Sequence, residues 1–161
     1  MNNDEVLKYM ARKREVSELS YEYGRRSETE FFDFIRYKRV IIVGPAGYMV
    51  GSSLGEWIDS FDVVVRVNHA IPIAYPEDYG TRTDVLYHVL SHRLPKDTMK
   101  TCIEPEEVDA WVEADVKWLV SRRAAMSKRI REVGPFLRDK LPWCCMNPAF
   151  YAKARREIKE K

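Results

Sequence analysis

The sequence predicts an α/β fold with a mainly parallel sheet flanked by helices. Three observations carry that expectation. Short β-branched runs recur without polar interruption, stretches with helical apolar spacing lie between them, and glycine or proline marks the joints. Strands that alternate with helices imply right-handed crossovers between parallel neighbours.

Residues 3–20 place Val6, Tyr9, Met10, Val16 and Leu19 among many charges, a loosely amphipathic helix expected to pack outside the sheet, with Gly24 as its stop. Residues 1–38 therefore read as an N-terminal helical segment and 39–161 as the main domain. Arg39 to Val43 is short and β-branched, as expected of a strand covered on both faces, and "DVVVRV" at 62–67 repeats the pattern. "DVLYHVL" at 84–90 and "VKWLVS" at 116–121 supply two more strands, and "PWCCMNP" at 142–148 reads as a short buried strand closed by a turn. Glu104, Pro105, Glu106 and Glu107 suit a first helical turn, and Val108, Trp111 and Val112 follow as its apolar face. Met126, Ile130 and Val133 recur at helical spacing until Gly134 and Pro135, which end or break that helix. Trp57, Trp111, Trp118 and Trp143 lie in separate elements and are expected to fill the core.

At 161 residues the chain is about one domain long. A chain of that size buries roughly two-thirds of its unfolded surface. Its net charge of +2 lacks the basic excess that phosphate neutralisation demands, which argues against nucleic acid as a partner. The basic run "SRRAAMSKRIR" at 121–131 reads as a solvated helix face, with contact to an anionic acceptor or membrane surface as the alternative. No apolar stretch is long enough to span a bilayer, and "MNNDEVLKYM" lacks the pattern of a secretory signal, so a cytoplasmic chain without a transmembrane segment is expected. Cys102, Cys144 and Cys145 fit no zinc spacing or disulfide framework and read as reduced, buried thiols.

Function concentrates in "IIVGPAGYMVGSSLGEWIDSFDVVVRVN", residues 41–68. In open α/β sheets ligands sit beyond the carboxyl ends of strands, and the loop after the first strand commonly takes a phosphate. Gly44, Gly47 and Gly51 allow close backbone approach, and Ser52 and Ser53 can donate hydroxyls or cap a short helix from Leu54 to Ile58. A tight turn without ligand explains the same residues. The P-loop fails because Gly47 and Gly51 are too close and Ser52 stands where its lysine belongs, and the dinucleotide G-x-G-x-x-G spacing is absent. Alternation places Arg66 and Asn68 on one side of the second strand, at the end nearest the loop. Asn68 can offer a donor and an acceptor to a base or sugar, or can simply form a turn. Arg66 needs an anionic or phosphate partner if covered, or snorkels at a sheet edge. Neither is the acidic residue by which a nucleoside-dependent methyltransferase would hold a ribose.

The segment "VIIVGPAGYMVGSSLGEWIDSFDVVVRVNHAIPIAYPEDYGTRTD", Val40 to Asp84, resembles the long sialyl motif of the sialyltransferase family, whose donor is cytidine monophosphate (CMP) sialic acid. The agreement lies in order and spacing: V-G after the strand, G-S-x-x-G, I-D-S-x-D-V-V-x-R-x-N and the closing Y-x-x-D-x-G-T-R-T. The resemblance implies a metal-independent, inverting glycosyltransferase with a Rossmann-like fold and no resident cofactor, with a nucleotide-sugar donor and a glycan or other hydroxyl acceptor as its partners. It places the donor phosphate and ribose along Gly44, Pro45, Ala46 and Gly47 and the nucleotide against Asn68. Ser52 is included in the donor site, and Arg66, Thr81 and Arg82 brace it, an arginine that only ties loops together being the alternative for Arg82.

Three departures shape the expectation. Pro45 replaces an asparagine of the family pattern and removes an amide donor, leaving the choice of sugar and nucleotide open. Val40 replaces the cysteine of animal members, which suits a reducing compartment and a bacterial or viral source. The short sialyl motif and its histidine base have no recognisable counterpart after residue 100. Either the chain is the donor-binding part of a larger enzyme, or it is a non-catalytic nucleotide-binding or interaction module. Inverting transfer needs a base, and His69, His88 and His92 are the candidates by chemistry. His88 lies inside an apolar strand and reads as a core histidine, His69 faces away from Asn68, and His92 lies just past the strand end. None is assigned as the base.

Overall fold

The computed structural model describes residues 3–44, 47–68, 73–88, 105–121 and 134–146. Its centre is a five-stranded, all-parallel sheet in the order β1-β2-β3-β4-β5: β1 Val40–Val43, β2 Val63–Val67, β3 Val85–His88, β4 Trp118–Ser121 and β5 Trp143–Cys145. The expected α/β class and every expected strand are present. Register fixes the layers: Val43 lies opposite Arg66, Arg66 opposite Leu86, Leu86 opposite Leu119, and Leu119 opposite Trp143.

Helices α1 (Asn3–Glu22) and α2 (Glu28–Ile35) precede the sheet. α1 stops where Gly24 takes a φ of 75°, and its Val6, Leu7, Tyr9 and Met10 are exposed. α2 was not singled out from the apolar pattern, although its start is written in the sequence. Ser27 accepts from the Glu30 amide at 3.2 Å, and the Glu30 carboxylate accepts from the Ser27 amide at 2.9 Å, a reciprocal cap worth about 1 kcal/mol. That cap turns Phe31 onto Trp118, in a cluster with Val63, Val65, Val85 and Val120. Burying Phe31 contributes about 2 kcal/mol. Just before α2, the Tyr23 carbonyl accepts from the Trp143 indole at 2.9 Å, so this part of the N-terminal segment is tied to the sheet.

The other face is covered by the connections. α3 (Gly55–Asp59) sets Ile58 on Val43 and Val64, joined by Tyr79 of α4 (Pro76–Tyr79). α5 (Pro105–Glu113) sets Val108 and Trp111 on Leu86 and Leu119, with Leu137 and Leu141 completing the cluster. Because successive strands step the same way across the sheet, same-handed crossovers bring all these elements to one face.

Two expectations change. β1 is an edge strand with only one face covered: Ile42 is 69% exposed, since α2 packs over the strands beyond it. Trp57 is 55% exposed and rests edge-on against Phe61 instead of filling the core, as Trp111, Trp118 and Trp143 do. Residues 134–137 form a helical turn, and the stretch before it, whose end Gly134 and Pro135 were expected to mark, lies outside the described residues. The expected helical pattern at Met126, Ile130 and Val133 lies outside the described residues, as do Cys102 and nearly all of the basic run 121–131. Cys144 and Cys145 are free and buried, as expected. Among the described residues no helix is long and apolar enough to cross a membrane.

Candidate functional site

The candidate site lies at the carboxyl ends of β1 and β2. Continuing the β1–β2 register past Val43 and Arg66 brings Gly44 opposite Val67, one residue from Asn68. Among the described residues, a β-carbon added at Gly44 or at Gly47 would meet no atom within 4 Å. The glycine character of these two positions is therefore not required by the described protein atoms, which leave the backbone there open to a ligand. Pro45 and Ala46, between them, lie outside the described residues.

Asn68 sits beside this opening for a local reason. Its amide donates to the Tyr87 carbonyl at 2.9 Å, adding one bond beyond the end of β2. The chain then turns through a φ of 58°, a left-handed conformation that asparagine tolerates better than most residues. Strand alternation therefore does not extend to Asn68, and the expectation that it projects on the side of Arg66 fails at that point.

The second half of the loop is built differently. The amides of Gly51 and Ser53 donate to the Asp78 carboxylate at 2.7 and 2.8 Å. The Gly51 amide, then that of Ser53, holds the Asp78 carboxyl below its ordinary range against the opposing effect of burial, with the Ser52 amide adding to them. This turn is thus an anion-binding nest already filled by the protein's own carboxylate. Ser52 contributes its backbone to that internal contact. α3 begins at Gly55 with Leu54 at its N-cap and no side-chain cap, so Ser53 does not perform the capping expected of it. Ser53 instead takes a φ of 53°, which aims its amide at Asp78.

Arg66, Thr81 and Arg82 direct their described hydrogen bonds at protein atoms. Arg66 is 4% exposed and donates through Nε to the Arg82 carbonyl at 2.9 Å and to Thr83 Oγ1 at 3.0 Å, and through Nη2 to the Tyr79 carbonyl at 2.7 Å. Burial lowers its pKa, and the Asp59 charge opposes that shift. Thr81 donates from its amide and hydroxyl to Asp59 at 2.7 and 2.8 Å. Arg82 reaches the Asp59 and Phe61 carbonyls at 2.8 and 3.0 Å and Asp84 Oδ2 at 2.9 Å. These side chains join the end of α3, the end of α4 and the starts of β2 and β3, and thereby set how the strands stand beneath the open loop.

Of the histidines, His88 is 1% exposed and lies against the Trp111 ring, in the core position expected of it. His69 and His92 lie outside the described residues. Among the described residues no group of His, Cys, Asp and Glu is arranged to hold a metal ion. A pocket of about 240 Å3 lined by Ile73, Pro76, Thr81, Thr83 and Ala114 opens at the other end of the strands, since Thr83 leads into β3 and Ala114 precedes β4. Sequence reasoning assigned no role to Asp59 or Asp78, although both stand in the motif as the aspartates of I-D-S and Y-x-x-D. Their partners are distant in sequence, and that motif position was the only signal for them.

Comparison with known proteins adds independent information. The family model described as "Glycosyltransferase family 29 (sialyltransferase)" matches residues 4–157. The human type 2 lactosamine alpha-2,3-sialyltransferase is 33% identical over 118 residues, covering 61% of this chain and 34% of that protein. The human CMP-N-acetylneuraminate-beta-1,4-galactoside alpha-2,3-sialyltransferase is 34% identical over 90 residues, covering 56% of this chain and 23% of that protein. The matches thus span 34% and 23% of these relatives' length. A mammalian sialyltransferase crystal structure aligns with 72% of this chain and 37% of its own, at a TM-score of 0.48 and 17% identity. With the family match running through nearly all of the sequence, and the strand-loop-helix-strand segment at its centre, this chain belongs to glycosyltransferase family 29, the sialyltransferases.

Proposed function

We propose that this chain holds the nucleotide end of CMP-sialic acid at the carboxyl ends of β1 and β2, for transfer of the sugar to a hydroxyl of a glycan acceptor with inversion. The observation that carries the reading is the backbone at Gly44 and Gly47, open among the described residues, in the loop that leaves β1 where the register brings Gly44 opposite Val67, the residue before Asn68, in a chain of this family. Backbone amides there are suited to a phosphate, and the Asn68 carboxamide offers a donor and an acceptor to a base or ribose. In the transfer the acceptor oxygen attacks the anomeric carbon while the bond from that carbon to the phosphate oxygen breaks. CMP departs with the electron pair, and the acceptor proton passes to a base. The loop amides stabilise the departing phosphate, and the reaction uses neither a metal ion nor a resident cofactor. His88, enclosed in the core, is not the base in this scheme.

Calorimetric titration with cytidine, uridine and guanosine monophosphates and diphosphates tests the reading, repeated on Asn68→Ala. Cytidine monophosphate is expected to bind best, with about a ten-fold loss in the variant. Absence of binding by every nucleotide overturns the donor site, and undiminished binding by the variant overturns the role of Asn68.

A further inference from the structure

The Asp78 carboxylate sits 27 residues from Gly51 in sequence, is 2% exposed, and has nothing to do with the chemistry of transfer as described above. Its place in the packing gives it a different task. The loop that leaves β1 is held by the sheet at Val43 and by Met49, which packs against the cluster of Val43, Ile58 and Val64. Its far end is held at Gly51 and Ser53 by the two oxygens of Asp78. Asp78 belongs to α4, and α4 is locked to α3 by direct backbone contact: a β-carbon on Gly55 would stand 2.2 Å from the Pro76 carbonyl oxygen. The last residue of α4, Tyr79, offers its carbonyl to Arg66 at 2.7 Å, and Arg66 lies on β2, the strand that ends at Asn68. A continuous run of close contacts therefore joins the loop carrying Gly44 and Gly47 to the strand carrying Asn68, and Asp78 is its link to the loop.

From this arrangement we infer that Asp78 is a positioning residue for the donor site: it fills the Gly51–Ser53 amide nest and thereby holds the loop that carries Gly44 and Gly47 in register with Asn68. The inference rests on the donor-site reading and deepens it. A filled nest also excludes the donor's phosphate from Gly51 to Ser53, which confines it to the part of the loop that stands open. Specificity of placement follows without any contact between Asp78 and the donor.

The experiment compares the wild-type chain with Asp78→Ala and Asp78→Asn, measuring CMP affinity by calorimetry and amide hydrogen exchange at Gly51, Ser53, Val64 and Leu86. Sodium formate is added to Asp78→Ala to supply a free carboxylate to the vacated nest, with sodium chloride at equal ionic strength as control. Asp78→Ala is expected to weaken CMP about ten-fold and to speed exchange at Gly51 and Ser53 while Val64 and Leu86 stay protected. Formate, and not chloride, is expected to restore both readouts. Asp78→Asn keeps one acceptor oxygen and is expected to fall between. It decides the question in the same way if the alanine variant fails to fold. CMP affinity equal to wild type in a folded variant overturns the inference, as does weakened affinity with Gly51 and Ser53 still fully protected. Failure of the wild-type chain to bind CMP is a separate result: it appears before any substitution is made, and it removes the donor site together with any residue said to position it.

Discussion

Arg66 Nε lies 3.0 Å from Thr83 Oγ1, so a guanidinium on β2 is held by the residues that lead into β3. With its further bonds to the Arg82 and Tyr79 carbonyls, this buried cation serves three acceptors on the segment between α4 and β3.

Replacement of Arg66 by alanine is expected to destabilise the chain by about 3 kcal/mol, because buried acceptors lose their donors and the side chain leaves a void. Arg66→Lys keeps the charge but not the planar fork and is expected to recover only part of the loss. Urea unfolding monitored by tryptophan fluorescence measures both.

Asp59 accepts from the Thr81 amide and hydroxyl and from the Arg82 amide at 3.2 Å. Burial alone raises its pKa, but the bonds from Thr81 and Arg82 and the Arg66 charge outweigh that and leave it lowered. A carboxyl with a depressed folded-state pKa contributes stability above the unfolded pKa of about 4 and loses it as pH falls through the folded value. Stability is therefore expected to fall below about pH 4, with a shallower fall in Asp59→Asn. At pH 7 that variant is expected to be weaker by about 1 kcal/mol. Urea titrations at a series of pH values check both parts.

Gly55 and Gly47 are expected to respond oppositely to alanine. At Gly55 the new methyl would overlap the Pro76 and Glu77 carbonyl oxygens at 2.2 and 2.7 Å, forcing α3 and α4 apart at a cost of about 3 kcal/mol. At Gly47 it meets nothing among the described residues, so stability should stay within about 0.5 kcal/mol while CMP binding weakens. Thermal unfolding paired with nucleotide titration separates the two effects.

The Cys144 thiol is pushed up to about 12, first by burial and then by the neighbouring Cys145. At pH 8 almost none of it is thiolate, and the side chain is fully buried. An aromatic disulfide reagent at pH 8 is expected to leave Cys144 unlabelled in the folded chain and to label it at once in urea. Peptide mass mapping distinguishes it from the other cysteines.

Much of this architecture was legible in advance. The runs at β1 and β2 are rich in β-branched residues and those at β3 and β4 are largely apolar, and the strands of a helix-covered parallel sheet leave that trace directly in the sequence. The Ser27–Glu30 cap is equally local, so α2 was open to the same kind of reading even though apolar spacing alone did not reveal it. The openness at Gly44 and Gly47 follows from residue type and position, which is why the loop after β1 could be singled out. Asn68 was placed beside it for a partly mistaken reason, since the strand ends one residue earlier and the backbone turns left-handed.

What the sequence by itself determined was the order and kind of the elements and the location of the glycine-rich loop, because periodicity, β-branching and capping act between near neighbours. Only the tertiary structure decided that β1 stands at an edge, that Trp57 stays at the surface, and that Asp78 occupies the Gly51–Ser53 amides while Arg66 and Arg82 serve the scaffold. Those outcomes depend on strand register and on which helix lies over which pair of strands. Residues tens of positions apart come within hydrogen-bond reach only when the whole sheet is assembled, and no local preference records the meeting.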